Sequence, residues 1–163
     1  MRGKFSIEAL VAVCVLLLDQ ATKALVIATT APYQVIEVIP GFFNLVNVRN
    51  QGAAFGFLSN ANTDWSFWLF AGATAVAIFA ILHISRRTSG PVWLWIGFGA
   101  IMGGAVGNLI DRVRLRAVVD FLDFYLGQWH WPAFNLADAA ICTGAALVLI
   151  ALWRYPVPKK ART

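Results

Sequence analysis

The sequence predicts a mainly α, polytopic membrane protein: four transmembrane helices with a small β-sheet on the outer membrane surface. Three observations carry this. The 163 residues are 60% hydrophobic and 13% charged, with a mean hydropathy of +0.70; a soluble domain carries about 25% charged residues. The apolar residues gather in four blocks, about 5–28, 65–85, 92–110 and 135–153, each near the ~20 residues that cross a bilayer. Between the first two blocks, about 33–58, the composition turns β-rich and is broken by Pro40-Gly41. The length suits one integral-membrane domain over 1–163.

Block one follows Arg2 and Lys4, as the apolar run of a cleaved leader does. It continues past Asp19 and Lys23 to Ile27 without a small-x-small cleavage site, so it is expected to remain as a span. Asp19 and Lys23 lie four apart on one helix face, acid first, the favourable order for an ion pair. Two roles stand open for the pair: letting a membrane helix carry charge, or supporting a site. Cys14 here, and Cys142 in block four, read as small buried hydrophobes without metal-ligand spacing.

Tyr33-Gln-Val-Ile-Glu-Val-Ile reads as extended, and Phe42-Phe-Asn-Leu-Val-Asn-Val as a second strand. Arg49-Asn50-Gln-Gly52-Ala-Ala-Phe-Gly56 follows. Its glycines permit close approach and Asn50 offers donors and an acceptor, although an ordinary polar turn fits equally. Block two, from Trp65 to Ile84, holds one ionisable group, His83, read as solvated or lipid-facing. A short turn, Ser85 to Pro91, leads into block three. There Gly99, Gly103 and Gly107 recur every four residues with Gly104 beside them, a seam that lets membrane helices approach closely. The seam runs into Asn108-Leu-Ile-Asp111-Arg112, expected to hold the helix exit through an ion pair or backbone hydrogen bonds.

Four crossings put both termini on one side with 8 of the 13 basic residues and one acid, Glu8. The net charge there is +7 against −2 elsewhere, so the positive-inside rule places the termini and the 86–91 turn in the cytoplasm. The basic balance reflects orientation and anionic phospholipid contact, and no nucleic-acid partner is expected. All seven tryptophans fall at expected interfaces, as an aromatic belt.

The stretch from Val118 to Asp138 places Asp120, Asp123 and Asp138 between two apolar segments. An acid so close to a membrane persists where it pairs, meets water or does chemistry. In Asn135-Leu-Ala-Asp138 the asparagine suits a helix cap, and Asp138 by itself needs no role beyond compensating the helix dipole. Asp120, between Val118-Val119 and Phe121-Leu122, adds a second acid in an apolar setting. Two close carboxylates share a proton, so one can activate water while the other donates. Other hydrolytic sites fit poorly. No metal-binding His-Glu-x-x-His or Gly-x-Ser-x-Gly occurs, and no serine pairs obviously with Lys23. A carrier with Asp19 and Lys23 lining its path, or a non-catalytic assembly partner, are the competing classes; no internal repeat supports the first.

Five blocks then carry a resemblance: Asp19-Gln-Ala-Thr-Lys23, Asn50-Gln-Gly-Ala-Ala-Phe-Gly56, Gly103-Gly-Ala-Val-Gly-Asn-Leu-Ile-Asp-Arg112, Val118-Val-Asp-Phe121 and Phe134-Asn-Leu-Ala-Asp138. In this order they resemble bacterial lipoprotein signal peptidase, or signal peptidase II, over nearly the whole chain. The resemblance implies an aspartic endopeptidase that removes signal peptides from prolipoproteins just before a diacylglyceryl-modified cysteine. It implies Asp120 and Asp138 as the catalytic dyad. It also implies supporting or substrate-binding roles for Asp19, Lys23, Asn50, Gly52, Gly104, Asn108, Asp111, Arg112 and Asn135. The extended region at 33–58 would be a periplasmic β-sheet. Inhibition by globomycin-type peptides, a monomer in the cytoplasmic (inner) membrane, and no metal or cofactor complete the expectation.

Overall fold

The computed structural model describes residues 2–51 and 65–155. Helix α1 (Arg2–Thr29) leads to strands β1 (Val35–Ile39) and β2 (Phe43–Asn50). Helices α2 (Trp65–Arg87) and α3 (Val92–Leu115) follow, then β3 (Val118–Leu126), β4 (Trp129–His130) and α4 (Leu136–Arg154). All four helices are long and apolar enough to cross a bilayer. Gly52, and the part of the expected β region beyond 51, lie outside the described residues.

Helix α3 is the axis of the bundle. In its most apolar window 56% of residues are buried, against 6% for α2, which therefore faces lipid on most sides. The glycines explain how α3 serves two neighbours. A Cβ on Gly99 or Gly103 would come within 2.5 Å of the Glu8 or Ala12 carbonyl of α1. One on Gly104 would lie 2.5 Å from the Ala137 carbonyl of α4. The four-residue stripe thus seats α1, and Gly104, one position round the helix, seats α4. α2 lacks such a seam and packs sparsely, mainly against α3, with its last turn also bonded to the start of α1.

At the end carrying the termini, the Lys4 ammonium donates to the carbonyls of Ser85 (2.9 Å) and Thr88 (3.1 Å), and the Ser85 hydroxyl donates to Glu8 (2.7 Å). These bonds tie the start of α1 to the α2–α3 turn. At the opposite end β1–β2–β3–β4 form one antiparallel sheet. Two of its strands come from residues after α3, outside the 33–58 region where the sequence located the sheet. β3 is paired with β2, about seventy positions away, in the register Val48↔Asp120 and Asn50↔Val118.

Three further expectations change. α3 runs to Leu115 rather than ending near 110, so Asp111 and Arg112 are helical; Arg116, left-handed at φ 55°, ends it and turns the chain into β3. Cys14 and Cys142 are exposed on the protein surface rather than buried, because α1 and α4 bury only the stripe that meets α3. Trp95 leaves the aromatic belt: its ring is 5% exposed in the core with Leu94 and Phe98, under the Lys4 ammonium at 4.9 Å.

Candidate active site

Asp120 and Asp138 converge at the sheet end of the bundle. Asp120 follows the fully buried Val118 and Val119 on β3 and is itself 2% exposed. Asp138 occupies the first turn of α4, beneath the cap residue Asn135. The cap is reciprocal: the Asn135 side-chain oxygen accepts from the Asp138 amide (3.0 Å), and the Asp138 carboxylate accepts from the Asn135 amide (3.3 Å). The Asn135 side-chain nitrogen then donates across to Asp120 at 2.7 Å. One asparagine therefore grips both acids, and the bridge Leu122↔Phe134 closes the loop between them.

The other expected residues form shells around this pair. Asn50 donates to the second oxygen of Asp120 (2.8 Å). Asn108 donates to Asp138 (2.7 Å) and accepts from Asn135 (3.2 Å) and from Lys23 (2.9 Å). The Lys23 ammonium also meets Asp19 and Asp111, each at 2.9 Å, so each of its three N–H bonds has an acceptor. Asp19 in turn accepts from the Ala137 amide (2.9 Å) and Asp111 from the Val119 amide (3.2 Å). This buried triad thus holds the residue before Asp138 and the residue before Asp120. Gly104 contributes the close approach of α3 to Ala137.

Asp111 and Arg112 take different partners, since neighbours on a helix point about 100° apart. Asp111 turns to Lys23, while Arg112 bonds the Asn108 carbonyl (3.2 Å) and lies 4.5 Å over the Phe70 ring. Amide donors from Asn50, Asn135 and Asn108 meet the oxygens of Asp120 and Asp138. Gln20, which donates to both Asp19 (3.2 Å) and Asp111 (3.0 Å), escaped the sequence reading as a separate site residue. Its only sequence signal is its place inside the Asp19–Lys23 block. The third acid, Asp123, belongs elsewhere: three positions along the strand it faces the other side, held by Asn44 (2.8 Å) and His130 (2.9 Å).

Burial pushes the Asp120 carboxyl up to about 6, partly offset by the Asn50 hydrogen bond; the Asp138 charge pushes the same way as burial. Asp138 sits at a helix N-terminus, where negative charge is favoured. Beside it opens an apolar pocket of about 300 Å³, lined by Trp131, Phe134, Ala139 and Cys142. Among the described residues no three His, Cys, Asp or Glu side chains gather to hold a metal ion. The arrangement suits proton exchange at one reacting centre: a buried acid, a capped carboxylate and an apolar recess.

Over residues 11–154 the chain matches the family described as signal peptidase (SPase) II. The chain belongs to the signal peptidase II family. It is 54% identical over 157 residues to the lipoprotein signal peptidase of Nitratidesulfovibrio vulgaris (strain DP4), covering 96% of this chain and 95% of the relative. For that of Oleidesulfovibrio alaskensis the identity is 52% over 155 residues, covering 95% and 99%. A solved bacterial membrane enzyme matches with TM-score 0.77 and 33% identity over 88% of this chain and 90% of that one. A second gives TM-score 0.79 and 32% identity over 96% and 93%. As a signal peptidase II this multi-pass membrane protein is a peptide hydrolase.

Proposed function

We propose that this signal peptidase II is an aspartic endopeptidase acting on diacylglyceryl-modified prolipoproteins, with Asp120 and Asp138 as its dyad. It cleaves just before the lipidated cysteine. One observation carries the reading: two carboxylates eighteen positions apart are both bound to Asn135, at the sheet end of an otherwise apolar bundle. The charge partition supports cytoplasmic termini, which puts the sheet end and the dyad at the periplasmic face of the cytoplasmic membrane. Acyl chains anchored in the bilayer would then bring the scissile bond to that boundary. The apolar pocket beside Asp138 suits such a substrate, and a globomycin-type peptide would block the same place. The enzyme works as a monomer among phospholipids, without cofactor or nucleic acid.

The chemistry follows from the unequal acids. Asp138, ionised, takes a proton from water as the water oxygen adds to the scissile carbonyl carbon. Asp120, protonated, gives its proton to the carbonyl oxygen. On collapse the C–N bond breaks, the leaving nitrogen takes the proton from Asp138, and a hydroxyl of the tetrahedral intermediate returns one to Asp120. The starting state is restored. Asn50, Asn108 and Asn135 hold the acids in place; the Lys23, Asp19 and Asp111 triad fixes the elements that carry them.

The test is cleavage of a diacylglyceryl-modified peptide by the purified protein in detergent, read by mass spectrometry beside the same peptide without lipid. Two fragments are expected from the lipidated peptide only, one beginning with the modified cysteine. Equal cutting of the bare peptide, or a cut elsewhere, would overturn the reading. Run across pH, kcat/KM should fall as pH rises through about 6, since Asp120 donates only while protonated. The midpoint belongs to the coupled pair. A profile flat from pH 5 to 8 would remove Asp120 from the acid role.

A further inference from the structure

We propose that Phe70 of α2 is a positioning residue for the reaction, holding the Arg112 guanidinium at the dyad through its ring face. The proposal rests on the reading of Asp120 and Asp138 as the dyad. Arg112 stands one residue from the dyad: its guanidinium bonds the Asn108 carbonyl, and the Asn108 side chain donates to Asp138 at 2.7 Å. Yet among the described residues no carboxylate lies within ion-pair distance of it. Two contacts hold the guanidinium. Nη1 donates to the Asn108 carbonyl of its own helix at 3.2 Å, and Cζ stands 4.5 Å above the Phe70 ring. The first contact tethers one nitrogen; the ring supplies a second support, on α2.

A ring suits this task better than an acid. A carboxylate at position 70 would pair with Arg112 and draw it away from the Asn108 carbonyl. An aromatic face attracts the cation through its quadrupole and carries no net charge, so the guanidinium stays at the carbonyl of the residue that holds Asp138. The contact is also part of a repeated pattern. One turn earlier on α2, Phe67 lies beneath Arg116 at the same 4.5 Å. Phenylalanines three apart on α2 thus meet Arg112 and the helix-ending Arg116, four positions apart, two rungs between antiparallel helices. The rungs lie at the sheet end of a helix that is otherwise sparsely packed, so the seating of α2 is felt at the dyad.

The experiment compares Phe70→Leu, Phe70→Tyr and Phe70→Trp with wild type in the lipidated-peptide assay, alongside size-exclusion and thermal melts. Loss of the ring in Phe70→Leu should lower kcat by about tenfold with KM nearly unchanged. Phe70→Tyr and Phe70→Trp should restore kcat to within about twofold of wild type. Wild-type kcat in Phe70→Leu, an effect on KM alone, equal losses in all three variants, or loss of the folded species in Phe70→Leu would each overturn the role. Asp120→Asn and Asp138→Asn run in parallel separate the two claims. If both are inactive while Phe70→Leu is normal, only the Phe70 role fails; if either dyad variant cleaves normally, the dyad reading itself fails.

Discussion

Asp120→Asn and Asp138→Asn are each expected to lower kcat by about 10³-fold or more, the scale of losing a positioned acid or base, while the protein stays folded. Asparagine matches each side chain in shape and keeps one acceptor. In Asp138→Asn that acceptor can take the 2.7 Å bond from Asn108, and the backbone half of the cap, from the amide at 138 to Asn135, is untouched. In Asp120→Asn the new amide nitrogen faces a donor, from Asn50 or Asn135, which costs one hydrogen bond. A gain opposes that cost. A buried carboxyl held near 6 rather than 3.8 binds its proton more tightly when folded, so wild type loses stability as pH rises from about 4 to about 6. That gap corresponds to about 3 kcal/mol above pH 6, which the neutral asparagine does not lose. The Asp120→Asn melt should therefore equal or exceed wild type at pH 8, and that advantage should vanish at pH 4. Stopped-flow cleavage and melts in detergent measure both halves. Near-normal turnover by either variant would contradict the assignment.

Lys23→Met should cost about 3–5 kcal/mol of stability, because it leaves two buried carboxylates without their cation. Lys23, Asp19 and Asp111 are all at most 2% exposed, so the two acids are out of contact with bulk solvent. The damage should not stop at stability. Asp19 holds the Ala137 amide and Asp111 holds the Val119 amide, so repulsion between the freed acids pulls on the backbone next to both dyad residues. Activity should fall in the fraction that remains folded. Removing the charges together, in Lys23→Met/Asp19→Asn/Asp111→Asn, should recover most of the melting temperature, since a buried ion cluster is often no better than its neutral replacement. A single Lys23→Met protein with a wild-type melt would sink the account of the triad.

Much of the fold was legible because bilayer thickness imposes a length on each apolar block, and charge imposes a direction. What escaped depended on partners distant in the chain. β3 carries two acids among apolar residues, without clean alternation, and becomes a strand by pairing with β2. The end of α3 was misjudged because Asp111 and Arg112 look like an exit to water. Lys23, on another helix, makes Asp111 tolerable inside. Cys14 and Cys142 were misread for a related reason: in lipid an apolar face need not be buried in protein.

Within the site, Asn135 was legible as a cap from Asn-Leu-Ala-Asp, a local pattern. Its second bond, to Asp120, was not, because it crosses from helix to sheet. The resemblance to signal peptidase II selected Asn50, Asn108 and Gly104 without saying what each touches. The structure supplies those contacts: Asn50 on Asp120, Asn108 between Lys23 and Asp138, and Gly104 against α4. Gln20 and Phe70 carry no sequence signal of their own. Gln20 acts on Asp19, Asp111 and the Gly107 carbonyl, and Phe70 meets the Arg112 guanidinium.

The central claim is that water, activated between Asp120 and Asp138, attacks the peptide bond directly. A single turnover of the lipidated peptide in H₂¹⁸O, with enzyme in excess and both products and the enzyme analysed by mass spectrometry, tests it most directly. The account predicts one ¹⁸O in the new carboxyl terminus of the released signal peptide and none in either aspartate. A released peptide carrying only ¹⁶O, with the label in Asp120 or Asp138, would mean that an aspartate attacked the substrate itself and would contradict the mechanism.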